Sequence, residues 1–429
     1  MEYAVAFIAL AVMGYALVEH RLVTTVVTGP MIFMTLGFLA GNRGFDIIDP
    51  RSLLSIEAID AFLVATLTLV LFTDASALHF SSWRRDADIP GRLLGIGLPL
   101  TIAFGWVVAA LLFTDLSVWE AGMISVVLAP TDAALGQAVI SNPRVPERVR
   151  VGLNIESGLN DGVALPVLLI LIAVAEQAEG SPALARIFVE EIVIAVAVGL
   201  VVGVVGGRLL VRSKRSGWLS PTWSRISVVA MAALCYGFAD PLGGSGFIAA
   251  FVGGLFYGRT TDGELSDNEQ FADDFGKVTT QIAFLVFGAI GLGFAFERLT
   301  WQVVVMAVLA LTVVRMIPVA ISMVGARLSV NTVVYMGWFG PRGIATVIFA
   351  LVVVTSTTLP GTEVILTVAL ITMALSVFAH GMTSNPGSER YANWYASHPD
   401  VGDMPESEAV ENVPVRGRVE RPLLPTRGT

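Results

Sequence analysis

The sequence is short of cysteine, histidine and charge. It has 429 residues but only one cysteine, Cys235, so a disulfide framework is excluded. Its four histidines are scattered, without the spacing of a metal site. Only 14% of the residues are charged, whereas about a quarter are charged in soluble domains. There is also no G-x-x-x-x-G-K-[ST] loop, the sequence sign of a nucleotide-driven machine.

The sequence is instead rich in apolar residues: 55% of its residues are hydrophobic. The first apolar run follows Glu2 rather than a basic segment, so it is interpreted as a spanning helix and not as a signal peptide. The composition predicts an all-α polytopic membrane protein. Thirteen apolar runs are candidate transmembrane helices: 3–18, 22–41, 58–78, 93–113, 119–140, 150–175, 188–211, 225–239, 244–258, 275–296, 302–325, 331–355 and 363–381.

Basic residues between these runs predict the orientation. Fifteen arginines and lysines fall in one set of alternate loops and four in the other. Basic loops stay in the cytoplasm, which places the amino terminus outside and the carboxyl terminus inside the cell membrane. Residues 1–381 are therefore predicted to be a membrane transporter domain. Residues 382–429, rich in proline, glycine and charge, are predicted to be a disordered cytoplasmic tail.

One inner loop, within 258–277, is unusual in being acidic: GRTTDGELSDNEQFADDFGK. It can be interpreted as a solvated loop, or as a surface that collects cations or senses pH. The sequence leaves both interpretations open.

Six ionisable residues are interpreted as embedded in the membrane, because they lie away from the ends of the apolar runs. Each costs about 2.5–3.5 kcal/mol or more at the centre of a membrane helix, so each must pair, face water or bind an ion. Four carboxylates against two guanidinium groups leave an excess of two negative charges, the balance expected of a cation or proton site. The six are Asp74, Asp132, Glu156, Asp161, Arg315 and Arg342.

Two of these carboxylates belong to the polar stretch NIESGLNDG, residues 154–162. On a helix, Ser157 and Asp161 share one face, and Glu156 and Asn160 share the neighbouring one. An arginine can therefore neutralise Glu156 while Asp161 stays available for exchange. The alternative is that these polar groups only join helices by hydrogen bonds, which applies best to the amides.

Two apolar runs are interrupted around a charged residue. Pro130 interrupts VVLAPTDAALG, and YMGWFGPRGIATVIFA is interrupted around Arg342 by Gly337, Gly340, Pro341 and Gly343. Interrupted helices free backbone carbonyls and expose helix ends, which suit ion coordination. A pair of them in the two halves of a chain predicts an inverted-repeat transporter.

The combination of APTDAA, ESGLNDG, the arginine of LTVVRMIP and that of GPRG resembles the monovalent cation:proton antiporter family, the NhaP-type sodium/proton antiporters. The resemblance spans residues 1–381 and not the tail. It implies a fold of thirteen helices, with a core of two crossed, interrupted helices and a dimerisation domain. It also implies a homodimer.

The resemblance implies a monovalent cation site at Asp161. Thr131, Asp132 and Ser157 would supply further oxygen ligands. Asn160 matches the position at which electrogenic relatives have a second aspartate, so its amide implies electroneutral, one-for-one exchange.

The resemblance also implies supporting roles around that site. Glu156 and Arg315 would form a structural ion bridge, and Arg342 matches the arginine of the second interrupted helix. Asp74, in VLFTDASAL, falls near an acidic position on the cytoplasmic funnel.

The function expected from these residues is secondary antiport of Na⁺, or Li⁺ or K⁺, against H⁺, with ion and proton competing for Asp161. Such a protein would serve pH homeostasis, and we expect no enzymatic activity, no cofactor and no nucleic-acid partner. A K⁺/H⁺ antiporter of the same family and an organic-anion symporter of similar fold are alternatives. A third alternative is an intramembrane aspartyl protease using Asp132 and Asp161, but such a protease would need a GxGD motif, which is absent here. A fourth is a passive channel, which would move cations without counter-movement of protons.

Overall fold

The computed structural model describes residues 2–22, 25–45, 47, 56–77, 88–132, 135–178, 182–261, 264–265, 269–398 and 404–407. These residues are mostly helical and contain no β-strand. Their fifteen helices are α1 (Glu2–Leu22), α2 (Gly29–Ala40), α3 (Ile56–Ser76), α4 (Asp88–Leu112), α5 (Val118–Leu128), α6 (Gln137–Ser141), α7 (Glu147–Ala178), α8 (Pro182–Arg215), α9 (Pro221–Ala239), α10 (Gly246–Thr261), α11 (Glu269–Val286, continuing through Phe287–Gly291 to Leu292–Glu297), α12 (Trp301–Leu311, continuing as Val313–Ser322), α13 (Val330–Trp338), α14 (Ile344–Ser356) and α15 (Thr362–Ala396).

These helices make thirteen segments in the described chain, because α5 with α6 and α13 with α14 are each one interrupted helix. Nine helical segments there are long and apolar enough to span a bilayer. Three shorter apolar helices, α2, α5 and α14, add to them. Each segment coincides with one of the thirteen predicted apolar runs, so the predicted all-α, thirteen-helix architecture is confirmed.

Local sequence explains where several helices begin. Ser117 accepts a hydrogen bond from the Glu120 N–H, and Glu120 accepts one from the Ser117 N–H, a capping box that starts α5. Ser220 caps α9, whose first residue is a proline with no N–H to satisfy. Ser329 caps α13 in the same way as Ser117 caps α5, through its hydroxyl.

Helix α7 lies at the centre of the bundle. It packs against α3, α4, α5, α8, α10 and α14, so its polar stretch faces other helices rather than lipid. Helix α15 packs against α5, α12 and α14. The two interrupted helices are therefore enclosed between α7 on one side and α15 on the other.

One end of the bundle, here named the arginine-rich face, brings the start of α7 to the end of α15. Arg144 pairs with Glu389 at 2.5 Å, and Arg148 donates to the carbonyl oxygen of Pro405 at 2.7 Å. These contacts join residues more than 240 positions apart in the chain. The last helix is thus fastened to the loop that leads out of the first interrupted helix.

The prediction that disorder begins at residue 382 is wrong, because α15 continues to Ala396. Tyr391 is buried there and stacks on Tyr335 of α13, with ring centroids 4.3 Å apart. The segment is polar in composition, but its aromatic residues share a face that packs on the bundle while its charges stay in solvent. Residues 399–403 and 408–429, the remainder of the predicted tail except for one short turn, lie outside the described residues.

That turn, Pro405–Ser407, contains a buried carboxylate at the start of α13. Glu406 is 1% exposed and accepts hydrogen bonds from the Ser329 N–H and the Thr332 hydroxyl, both at 2.8 Å. A negative charge at this position satisfies donors at a helix amino terminus and complements its dipole. The segment after α15 therefore supports the first half of the second interrupted helix.

Replacing Glu406 by alanine should loosen the first turn of α13, because a lost cap costs about 1 kcal/mol. Hydrogen–deuterium exchange of residues 329–334 should accelerate in Glu406→Ala but not in Glu389→Ala, which removes an exposed carboxylate of the same face. Burial raises the pKa of Glu406, but hydrogen bonds from Ser329 and Thr332 outweigh burial and hold this pKa below its usual value. The cap therefore stabilises α13 above about pH 4.5 and is lost only as the pH falls below that. Unequal protection at pH 8 and pH 6 would contradict this assignment.

Candidate ion-binding site

The two helix interruptions meet at the middle of the bundle. The Asp132 N–H donates to the carbonyl oxygen of Pro341 at 2.8 Å, so the first interruption is hydrogen-bonded to the second. Nη1 of Arg342 donates to the carbonyl oxygens of Pro130, at 3.2 Å, and Gly340, at 3.1 Å. Each interruption thus supplies hydrogen-bond donors or acceptors for backbone groups of the other. Without them, these backbone groups would be unsatisfied inside a membrane.

Two glycines allow this close approach. A β-carbon at Gly343 would lie 1.7 Å from Oδ2 of Asp132, so the carboxylate occupies the space of the missing side chain. A β-carbon at Gly340 would lie 2.6 Å from Nε of Arg315. Glycine is required at both positions because the neighbouring atoms are charged groups in fixed contacts.

Helix α7 contributes a second set of oxygens across from the first interruption. Oγ1 of Thr131 lies 3.1 Å from Oγ of Ser157, and Nδ2 of Asn160 donates to the same Thr131 oxygen at 2.6 Å. Helical spacing predicts that Ser157 and Asn160 lie on neighbouring faces of α7 and have separate roles. In the structure one threonine connects both, so Asn160 belongs to the oxygen cluster.

Asp161 lies beside this cluster and is 8% exposed. Its Oδ1 is buried and makes no hydrogen bond to any described residue, and Oδ1 of Asn160 is in the same condition. Asp132 and Asp74 are close enough for their charges to act on Asp161. A buried carboxylate among oxygens, near two further carboxylates, is unfavourable until a cation or a proton neutralises it.

Glu156, five residues earlier on α7, is held differently. Its two oxygens accept from Nη1 and Nη2 of Arg315 at 2.5 and 2.7 Å, and the two side chains are 2% and 1% exposed. This bidentate geometry is the one that best offsets the cost of burying two charges. The pair is formally neutral, which leaves the negative charge of the site on the three aspartates.

Arg342 is fully buried and binds carbonyl oxygens at the ends of helices. Besides Pro130 and Gly340, its Nη2 lies 3.5 Å from the carbonyl oxygen of Ala310 in α12. Carbonyls at helix carboxyl ends lack intrahelical donors and carry partial negative charge. One guanidinium therefore satisfies carbonyls just beyond the ends of α5 and α13 and one beside the break in α12 at Thr312, close to the interruption that carries Thr131.

Asp74 reaches the site from α3. It is partly buried and lies against Gly158 of α7, where a β-carbon would be 3.7 Å from the Asp74 carbonyl oxygen. The structure thus brings all nine predicted site residues to the region where α3, α7, α12 and the two interruptions meet.

A cavity of about 350 Å³ opens on the face opposite the arginine-rich one. Leu165 and Leu169 line it, one and two helical turns beyond Asp161 on α7. Three carboxylates also line this cavity: Asp60, Glu191 and Asp240.

Some buried polar residues near the site have no counterpart among the predicted ones. Ser376 and His380 of α15 contact the second interruption. Serine and histidine four residues apart lie on one helix face, and this spacing within the apolar run 363–381 was the available signal. Their partners could not be found from the sequence, because they lie on other helices.

Replacing Glu156 by alanine should destabilise the protein by about 3–5 kcal/mol, because Arg315 would stay buried without its partner. The double replacement Glu156→Leu with Arg315→Leu should be much less destabilised, because it leaves no unpaired charge. Thermal unfolding in detergent, followed by tryptophan fluorescence, measures both. Equal losses in the single and double variants would contradict a structural role for the pair.

Comparison with known proteins gives the following relatives. A K(+)/H(+) antiporter NhaP2 of Shewanella sp. (strain ANA-3) is 28% identical over 231 residues, which cover 53% of this chain and 39% of the relative. A K(+)/H(+) antiporter NhaP of Alkalimonas amylolytica is 25% identical over 329 residues, 75% of this chain and 55% of the relative. A probable Na(+)/H(+) antiporter of Schizosaccharomyces pombe is 25% identical over 276 residues, 59% of this chain and 36% of the relative. The matched regions thus span about half or less of these relatives.

Among solved structures, the sodium proton antiporter MjNhaP1 of Methanocaldococcus jannaschii at pH 8 superposes with a TM-score of 0.74. The superposition covers 91% of this chain and 98% of the other at 17% identity, so it shows a shared fold. The model of the transmembrane sodium/hydrogen exchanger family matches residues 7–387, nearly the whole membrane region. The chain therefore belongs to the sodium/hydrogen exchanger family.

Proposed function

We propose that this protein is a secondary antiporter that exchanges a monovalent cation for protons across the cell membrane. The observation that carries the proposal is the buried Oδ1 of Asp161, which accepts no hydrogen bond from the part of the chain that the structure describes and lies beside the oxygens of Thr131, Ser157 and Asn160. Hydroxyl, amide and carboxylate oxygens are hard ligands, which suit an alkali cation better than a soft metal. The proposal invokes neither ATP nor a cofactor, and it treats the protein as a transporter rather than an enzyme.

Exchange follows from competition for one carboxylate. A cation or a proton neutralises Asp161, and the two cannot occupy it together. The neutralised site can change its exposure from one side of the membrane to the other, whereas the empty, charged site is held back by the cost of an uncompensated charge in a low-dielectric interior. The residues that support binding are Asp132, Thr131 and Ser157, with Asp74 at the approach from α3.

The positive-inside rule makes the arginine-rich face cytoplasmic and the 350 Å³ cavity an outer vestibule. Its carboxylates would raise the local concentration of cations. Alternating access then requires the two interrupted helices and their surroundings to move relative to neighbouring helices. We also propose a homodimer, in which a second copy covers apolar surface such as that of α1, most of whose side chains are exposed in one chain.

The cation is proposed to be Na⁺, Li⁺ or K⁺. Relatives named as K(+)/H(+) antiporters and a relative named as a probable Na(+)/H(+) antiporter both support exchange with protons, and they differ in the cation. The oxygen cluster contains a single amide and two hydroxyls, none of which discriminates between alkali cations by charge.

Replacing Asp161 by asparagine should abolish exchange, because the amide can neither release a proton nor neutralise a cation. Proteoliposomes containing a pH-sensitive dye should report proton movement when Na⁺, Li⁺ or K⁺ is added to the wild type. Asp161→Asn should match empty vesicles, and Asp274→Asn, at an exposed aspartate, should match the wild type. Exchange by Asp161→Asn would overturn the assigned residue. Cation flux without proton movement would overturn antiport in favour of a channel.

Exchange should be electroneutral, because Asn160 provides no second ionisable group beside Asp161. An imposed membrane potential should then leave the initial rate of Na⁺- or Li⁺-driven proton movement unchanged. A net charge moved in each cycle would be driven by about 2.3 kcal/mol per 100 mV, which is easily detected. A rate that follows the potential in the wild type would contradict one-for-one exchange, and Asn160→Asp provides the comparison with two carboxylates.

A further inference from the structure

Two polar side chains of α15 face the second interruption and belong to no predicted site. Ser376 and His380 lie one helical turn apart, and they are 0% and 1% exposed. A buried histidine and serine in an otherwise apolar stretch are costly unless each of their polar atoms finds a partner.

Their hydrogen-bond partners lie on both sides of the second interruption. Oγ of Ser376 accepts from the Arg342 N–H at 2.6 Å, just before α14 begins. Nδ1 of His380 lies 3.0 Å from the same Ser376 oxygen and 3.2 Å from the Ser376 carbonyl oxygen. Nε2 of His380 lies 3.0 Å from the carbonyl oxygen of Trp338, the last residue of α13.

The direction of each hydrogen bond follows from this arrangement. Because Oγ of Ser376 accepts from a backbone N–H, its own hydrogen is available to donate to Nδ1 of His380. The Trp338 carbonyl can only accept, so the neutral ring that satisfies it has its hydrogen on Nε2. Nδ1 then accepts from the Ser376 hydroxyl and does not donate to the Ser376 carbonyl oxygen. A single neutral tautomer therefore satisfies the end of α13 and the start of α14 at the same time.

The second interruption, held in this way by Ser376 and His380, in turn supports the first interruption. Pro341, between Trp338 and Arg342, accepts from the Asp132 N–H at 2.8 Å, and Arg342 donates to the carbonyl of Pro130 at 3.2 Å. Thr131 lies between these two contacts, so the second interruption sets its position.

We propose that Ser376 and His380 are positioning residues that fix the second interrupted helix and, through it, hold Thr131 and Asp132 in place for cation binding. This inference rests on the proposed function for its effect on cation binding, and on geometry alone for its effect on the interruption. Neither residue contacts Asp161, so each acts through the backbone of residues 338–342.

The test compares Ser376→Ala and His380→Leu with Ser384→Ala. Ser384 is a matched control because it is buried on the same helix and its hydroxyl donates to the carbonyl oxygen of Gly381 in that helix, at 3.0 Å. Hydrogen–deuterium exchange of residues 339–344 should be about tenfold faster in Ser376→Ala and His380→Leu than in the control, because the Arg342 N–H loses its acceptor or the Trp338 carbonyl its donor.

Cation-dependent exchange in proteoliposomes gives the second measurement. The apparent KM for the cation should rise about fivefold in both variants, the factor expected from losing one hydrogen bond that supports a ligand. His380→Gln keeps a donor for the Trp338 carbonyl but loses the Nδ1 acceptor, so its KM should lie between wild type and His380→Leu. This variant, with Ser376→Ala, carries the test if His380→Leu does not fold.

Amide exchange and apparent KM equal to those of Ser384→Ala would overturn the proposal, whatever happens to the maximal rate. Faster amide exchange with an unchanged KM would overturn the link to cation binding. A wild type that transports none of the three cations would instead refute the proposed function, and the amide exchange would still decide whether the pair holds the interruption.

Discussion

The whole site depends on backbone hydrogen bonding between two helices that stop inside the membrane region. Extended backbone at that depth is stable only when its N–H and C=O groups find partners within the protein. The Asp132 N–H meets the Pro341 carbonyl, and the guanidinium of Arg342 satisfies carbonyls of Pro130 and Gly340. The two interruptions therefore stabilise each other, and neither is structurally independent.

The charged residues around the two interruptions form two groups with different roles. Glu156 and Arg315 neutralise each other and hold α7 to α12. Oδ1 of Asp161 has no hydrogen-bond partner among the described residues, and Asp132 and Asp74 are near enough to add to its negative charge. The same short stretch of α7 thus contains a bidentate ion pair and a buried carboxylate beside two further carboxylates.

Much of this could be predicted from the sequence, because membrane helices and intramembrane charges are local signals. The thirteen apolar runs, the two interruptions and the residues that meet at the site are visible as composition and spacing. The contacts of Ser376, His380 and Glu406 could not be predicted, because they join residues 34 to 77 positions apart and no sequence pattern connects the partners. The extent of α15 was also missed, because its polar residues 382–396 resemble a tail until Tyr391 is placed against Tyr335.

The bridge between Glu156 and Arg315 also restricts how this chain can evolve. Loss of either partner alone leaves a charge sealed in the protein interior, a loss comparable with the whole stability of many folded domains. Exchange of both for apolar residues can be tolerated, but that route passes through one of the two damaging single steps. These two positions, 159 residues apart in the chain, are therefore expected to change together in descendants of this sequence or not at all.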